Sequence, residues 1–337
     1  MTTSDKHPAQ LIVDLGFGFI LSGALATAAE LRVADHLESG PKSAATLADE
    51  LGAHALSLYR VLRLLASFGV FAEDEDGRFR LTPAADLLRA GAPGSLRDAV
   101  LMLTQKIFWA PTGELTATVK SGSTGFNHIF GASFFDYLSR DVTAGAVFHR
   151  GMAGLSDLEN APIAQSYDFS PFERVVDVGG GHGGFLIEVL KAAPKVHGIL
   201  FDRAEVLAEA RLAEAGLADR CQLVEGDFFG EVPRGANAYV LKRILHDWSD
   251  DVCVTILGHC RRSMAEGGKV LVVDTVIPKG NDPHGGKVLD VMMLASLPGG
   301  RERTQEDLRE LFARAGLALS RVIPTPSALS ITEAVAA

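Results

Sequence analysis

Basic charge is in short supply in this sequence. Its 337 residues hold 32 Lys and Arg against 42 Asp and Glu, a formal net charge of -10. That balance argues against a nucleic-acid partner, because such binding draws most of its affinity from cations that neutralise phosphates. Cysteine is scarce as well. Cys221, Cys253 and Cys260 contain no CxxC pair and leave an odd number, which fits reduced thiols in a cytosolic protein better than a disulfide framework. HExxH and paired CxxC spacings are both missing, so no metal site is expected. No hydrophobic run is long enough to span a bilayer. The uncharged stretch Leu15 to Ala29 is too short and too rich in Gly, Ser and Thr. Its "ALATAA" resembles a signal-peptidase site only loosely, and Asp5 and Asp14 against Lys6 replace the basic region a signal peptide needs. The expectation is a buried or subunit-contacting helix, with no membrane partner. Internal repeats and low-complexity tracts are absent too.

What remains is ordinary for a globular protein, 47% apolar and 22% charged, with length enough for two domains. From Ala44 the chain parses as a short helix, a turn at Gly52, a longer helix and a hairpin turned at "EDEDGR", a winged-helix pattern. In the second helix Leu58, Val61, Leu62 and Leu65 form one apolar stripe that Tyr59 and Leu64 widen, leaving mainly Arg60 and Arg63 polar. Such a helix belongs in packing or in a dimer contact, not in a DNA groove. Between Gly91 and Gln165 lie the aromatic-rich helical segments "KIFWAPTGEL", "SFFDYL" and "AVFHRGMAGLS", with the glycine-rich loop "KSGSTGFNHIFG", read as a connector lining a pocket.

From Arg174 the pattern changes. The runs "RVVDV", "HGIL", "CQLV", "AYVL" and "KVLVVD" alternate with helical stretches and predict a parallel α/β sheet. "ALSRVI", "PTPS" and "ALSITEAV" then predict a closing hairpin that adds an antiparallel strand.

The stretch "VVDVGGGHGGF" carries Gly179, Gly181 and Gly184, which satisfy the GxGxxG pattern of dinucleotide-binding loops. Three features point to a ligand without phosphate. Asp177 stands two residues before the first glycine, where it would repel a pyrophosphate but could hold the turn or receive an ammonium through water. Asp202 ends the next strand and can accept from both ribose hydroxyls, while Asp227 in "EGDFF" can accept from an adenine amino group with Phe228 packed on the ring. The closing hairpin, third, is foreign to an all-parallel dinucleotide fold. Together they describe a cradle for S-adenosylmethionine (SAM).

With "EGDFF", "LKRILHDWSDD", "GGKVLVVDTVIP" and "PGGRERTQEDLRELFARAGL" following in order, the chain resembles the SAM-dependent small-molecule O-methyltransferases over nearly its whole length. That group includes plant caffeate-type enzymes and bacterial enzymes acting on polyketide and other antibiotic intermediates. The resemblance implies a class I methyltransferase fold, a Rossmann-like sheet with an antiparallel C-terminal hairpin, plus an N-terminal helical, winged-helix dimerisation domain. The corresponding bounds are 1–90 for dimerisation, 91–165 for the connector and 166–337 for the SAM-binding catalytic domain. It also implies a homodimer, an aromatic small-molecule substrate, and S-adenosylhomocysteine (SAH) as product.

The resemblance carries over to single residues. His246 matches the catalytic-base position, and Asp274 and Glu302 match the acids that orient that base; the first is Asp where the plant enzymes have Glu. Lys242 matches a cofactor contact. Phe148, Met152 and Met293 match substrate-lining positions, and Asp247 and Asp290 are candidates for support. A phenol near pKa 10 and an imidazole near 6.5 differ by about 3.5 units, so complete proton transfer before attack would cost roughly 5 kcal/mol. Base assistance is worth about 10² to 10⁴ in rate, whereas alignment of the reactants can remove roughly 7 to 11 kcal/mol of barrier, so positioning should dominate. The expected reaction is methylation of a hydroxyl on a phenolic or hydroxy-quinone natural product. Two alternatives are SAM-dependent hydroxylation or decarboxylation on the same fold, against which the intact His246, Asp274 and Glu302 argue, and a winged-helix transcriptional regulator, disfavoured by the acidic charge.

Overall fold

The computed structural model describes residues 7–337; Asp5 and Lys6, weighed above, lie outside them. The chain divides into two compact units. One holds the chain up to Lys106 together with Asp141–Leu155, the other Ile107–Arg140 and Ser156–Ala337. The stretch 91–165 is thus shared between them.

In the first unit Ser43 caps the helix Ala44–Leu51, its hydroxyl accepting from the Thr46 amide, and His54 caps Ala55–Ser67 through Ser57. Leu58, Leu62 and Leu65 bury the stripe of the second helix against Val33, Leu37, Leu47, Phe71 and Phe79, with Val61, Tyr59 and Leu64 packed at its margin. Strands β1 (Lys42–Ser43), β2 (Phe71–Glu73) and β3 (Arg78–Leu81) form the wing, ordered β1-β3-β2 and antiparallel. Asp74 closes its turn by accepting from the amides of Asp76 and Arg78. The N-terminal helices behave differently along their length. In Gly18–Glu30 only Ala24, Ala28 and Ala29 are buried, while Ile12, Leu15, Phe17 and Phe19 stand 60–71% exposed. No single helix among the described residues is long and apolar enough to cross a membrane; Pro8–Gly16 with Gly18–Glu30 reaches that length only across a 42° bend.

The second unit is built on seven strands: β4 (Arg174–Val178), β5 (His197–Asp202), β6 (Cys221–Glu225), β7 (Ala236–Lys242), β8 (Met264–Asp274), β9 (Leu317–Pro324) and β10 (Ser330–Ala336). Their order is β6-β5-β4-β7-β8-β10-β9. The first five run parallel; β10 enters antiparallel to β8, and β9 closes the edge antiparallel to β10. This is the sheet with a reversed C-terminal hairpin that the sequence predicts. Alternation of side chains sends Val175, Leu200, Val240, Leu271 and Ile331 to one face, under the helix Gly184–Ala192. Val176, Ile199, Tyr239, Val270 and Ala334 go to the other, under Asp250–Ser263 and Gln305–Arg314. With both faces covered, the parallel strands read as continuous apolar runs. Their carboxyl ends are where side chains stay free to meet a ligand, at the point where the order reverses between β4 and β7.

Candidate active site

At the end of β4 the chain turns sharply. Gly179 has φ 67° and its amide donates to the Phe201 carbonyl at 2.8 Å; a Cβ on it would lie 2.6 Å from Ile244 Cδ1. Glycine takes that left-handed turn without strain, whereas a Cβ there would have to push the Ile244 side chain aside. Asp177, 1% exposed, has a buried Oδ2 with no hydrogen-bond partner among the described residues. Burial pushes its carboxyl up to about 7, with Lys242 opposing and Asp202 reinforcing. Asp202 ends β5 and ties the loop down, Oδ2 accepting from the Gly181 amide and Oδ1 from its neighbour Arg203, each at 2.8 Å. Each oxygen keeps a second lone pair for a ligand hydroxyl. Asp227 accepts from the Phe229 amide at 2.8 Å, which fixes the turn after β6. Phe228 lies edge-on to Phe229, and Trp248 packs edge-on to Phe229 at 4.8 Å and face-on to Phe135 at 5.6 Å. A flat apolar ligand surface therefore has aromatic partners here.

Lys242 ends β7 and donates to the Ser156 hydroxyl at 3.0 Å. Burial, aided by Arg243, lowers its ammonium to about 8 against the pull of Glu159, Asp177 and Asp274. Arg243 is left-handed, φ 56°, a conformation that costs a non-glycine residue ~1–2 kcal/mol. It is held by two 2.9 Å bonds to the Glu159 carboxylate and by its amide on the Val273 carbonyl. That turn directs the chain into the short 3₁₀ segment Leu245–Asp247, which carries His246.

His246 is 7% exposed. Its Nδ1 lies 2.7 Å from Glu302 Oε1, and its Nε2 3.4 Å from Asp247 Oδ1. Burial alone would lower the imidazole, yet the negative charges of Asp247, Glu302 and Asp274 overcome it and raise the ring to about 9. Asp274 acts through charge alone. It ends β8 with no hydrogen bond to the ring, its Oδ1 buried without a partner, and its carboxyl raised by burial despite the nearby imidazole. The shorter Asp side chain, noted above, leaves that gap, and Asp247 takes the place beside the other nitrogen. Asp247 is itself pushed up to about 6 by burial, which His246 offsets in part. Asp290 supports Glu302 by accepting its amide at 2.9 Å.

The loop "PGGRERT" reaches His246 because of its glycines. A Cβ on Gly300 would lie 2.8 Å from Leu297 Cβ and 3.0 Å from the His246 carbonyl oxygen. The Arg301 amide donates to that same carbonyl at 2.9 Å. Arg301 and Arg303 both reach Asp250, so the two loops are joined by backbone and by charge. Sequence reasoning missed Glu159, Arg243, Asp250, Arg301 and Arg303. The one available signal was the alternation Arg-Glu-Arg, which puts both arginines on the side opposite Glu302 in an extended segment.

Met293 is buried in the helix Gly285–Ser296 of the second unit. Phe148 and Met152, partly buried, lie on the helix Val142–Gln165 within the first unit. No cluster of metal-ligating side chains occurs among the described residues.

A parallel sheet with a reversed hairpin, a glycine loop followed by two strand-end acids, and a buried His–Glu pair beyond β7 define a class I methyltransferase. The O-methyltransferase domain description matches residues 112–318 and the O-methyltransferase dimerisation domain residues 13–91. The chain belongs to the SAM-dependent O-methyltransferase family. It is 43% identical to the phenazine O-methyltransferase PhzM of Lysobacter antibioticus over 97% of this chain and 96% of that one. The SAH-bound crystal structure of a methyltransferase of calicheamicin biosynthesis superposes with TM-score 0.90 at 43% identity, covering 99% of this chain and all of the other. A phenazine-1-carboxylate N-methyltransferase of Pseudomonas aeruginosa is 34% identical over 97% of each chain.

Proposed function

We propose that this protein methylates a hydroxyl of a phenolic or hydroxy-quinone natural product, acting in the cytoplasm as a homodimer, with His246 as the base. The observation that carries this reading is the buried imidazole, bonded at Nδ1 to Glu302 and set at the carboxyl end of the sheet beyond the glycine loop. SAM, the family's donor, supplies the methyl group as a sulfonium. The residues present fit it. The unpartnered Asp177 Oδ2 calls for a cationic or donor group, Asp202 has lone pairs for the ribose, and Asp227 with Phe228 suits the adenine end. Lys242 borders the same loop from β7. Met293, in the same unit as His246, is assigned to the acceptor. The exposed Leu15, Phe17 and Phe19, in the segment matched by the dimerisation domain, with Ile12 just before it, are assigned to the second subunit.

His246 Nε2 accepts the hydroxyl proton while Glu302 holds the proton on Nδ1, fixing the tautomer and favouring the imidazolium that forms. The raised imidazole changes the energetics expected from sequence. Against a phenol near 10, a base at about 9 is mismatched by roughly one unit, ~1.4 kcal/mol instead of roughly 5. The cost appears in the resting state, where only about one ring in a hundred is neutral at pH 7. Turnover should therefore rise with pH and level off near 9.

Incubation with methyl-labelled SAM and a panel of phenols, hydroxy-quinones and aromatic amines tests this. Label should appear on oxygen. His246→Ala should cost about 10² to 10⁴ in turnover and abolish the rise with pH, while calorimetry shows SAH affinity within about threefold of wild type. Unchanged turnover would remove the imidazole from the mechanism. Label on nitrogen, or gain of one oxygen without a methyl, would replace the reaction itself.

A further inference from the structure

Arg303 has no part in the chemistry described so far, yet it is a charged side chain only 3% exposed. Apart from a 3.4 Å contact of Nη1 with the Arg301 carbonyl, its donors are spent on one short stretch of chain. Nη1 donates to the Leu245 carbonyl at 2.8 Å, and Nη2 to the Trp248 carbonyl at 2.9 Å and to Asp250 Oδ1 at 2.8 Å. Nε also reaches Asp250 Oδ1, at 3.1 Å, and Nη2 lies 3.4 Å from Cys253 Sγ. Leu245 and Trp248 bracket His246 and Asp247. The guanidinium thus grips the turn on both sides of the base, from a position one residue beyond the carboxylate that bonds the base. Its own backbone is anchored, since the Ile277 amide donates to the Arg303 carbonyl at 2.9 Å in a parallel bridge between Val276 and Arg303.

We infer that Arg303 is the positioning residue of the proposed base: its planar fork locks the 245–250 turn to the 301–303 segment and so holds the His246 ring against Glu302. The physical need is plain. Leu245–Asp247 is a single 3₁₀ turn, too short to be rigid by itself. Glu302 arrives from 56 residues away. A hydrogen bond between two such segments keeps its length only if both backbones are fixed, and one side chain bonded to the first while covalently next to Glu302 does that directly. An ammonium could not, because it lacks the fixed fork that spans two carbonyls and a carboxylate. The charge has a second effect. Around the ring stand Asp247 from its own turn, Asp274 from β8 and Glu302 from the loop, and Arg303 favours the ionised form of Asp274.

The effect on turnover rests on the base reading; the effect on the ring does not. The full-length protein is to be made as R303K, R303M and D250N, with folding checked by circular dichroism and SAH binding by calorimetry. The His246 ring is then titrated by NMR with ¹⁵N-histidine, its resonances assigned by loss in H246A. R303M should lower the imidazole's titration midpoint by about one unit or more, towards the free value. R303K should do nearly the same despite keeping the charge. D250N, at a partly exposed end of the clamp, should shift it less. Turnover should fall about 10- to 100-fold in R303M and R303K, with KM for SAM little changed. R303K titrating like wild type would overturn the fork. Lower thermal stability with an unmoved midpoint in every variant would reduce Arg303 to ordinary packing. A moved midpoint with wild-type turnover would keep the clamp and refute the base.

Discussion

Two buried acid clusters occupy the catalytic unit, and they are built in opposite ways. Around Glu333, in the middle of β10, one carboxylate oxygen takes hydrogen bonds from Tyr167, Lys269 and Arg321 at 2.5, 2.9 and 3.0 Å. Arg321 also lies over the Tyr167 ring. Burial would raise Glu333, but these three partners together with Ser320 hold it down at about 2. Around His246 three carboxylates face one imidazole. Asp274 Oδ1 and Glu302 Oε2 are buried without partners, and both Asp247 and Asp274 are pushed up. The first cluster is complete and has nothing to offer a ligand. The second holds surplus negative charge, which stabilises a proton on the ring and any cation brought beside it. Buried acceptors left unpaired cost of order 1–3 kcal/mol each, an expense expected where structure serves a reaction rather than stability.

This contrast can be sharpened by experiment. Glu302→Gln keeps an acceptor near Nδ1 but removes the charge. Turnover should drop about 10- to 100-fold, and the pH at which it levels off should move down from about 9, because the imidazolium loses its main bonded counter-charge. A profile that stays in place would mean that Glu302 contributes shape alone. Asp202→Ala should act on the cofactor instead, weakening SAH binding about tenfold or more in calorimetry, as expected for a charge-assisted bond. Wild-type affinity would contradict the ribose assignment.

The smallest effect belongs to the complete cluster. Tyr167→Phe should cost about 1–2 kcal/mol of stability in urea melts, since Lys269 and Arg321 remain on Glu333, and should leave turnover alone. Its signature is in acid. A carboxylate held at about 2 instead of its ordinary 4.5 adds stability that is whole above about pH 4.5 and is lost as pH falls towards 2. Without the tyrosine hydroxyl that loss should begin at higher pH. Equal acid melts for both proteins would show that the cations alone hold Glu333.

The proposed cofactor cradle is local in the sequence. Asp177 lies at the end of one strand with Gly179 and Gly181 just after it, Asp202 ends the next and Asp227 stands in the turn after the third, and the order of strands along the chain places all three turns at one edge. The parallel strands were legible for the same reason, as β-branched runs of the right length between helices, and the hairpin as two such runs around "PTPS". The uncharged N-terminal stretch was only half readable, because composition cannot distinguish burial of Ala24, Ala28 and Ala29 from exposure of Phe17 and Phe19.

The sequence by itself therefore determined the strand order's raw material and the glycine turn, since each rests on neighbours within a few residues, while the proposed base His246 was picked out by resemblance of its motif to the family's. Only the tertiary structure decided how that base is held. Glu302 lies 56 residues from His246, Arg243 pairs with Glu159 across 84, and Tyr167 meets Glu333 across 166. Charges shift a proton affinity through distance in space, and no spacing along a chain encodes which carboxylates will stand around one ring once the sheet has brought its loops together.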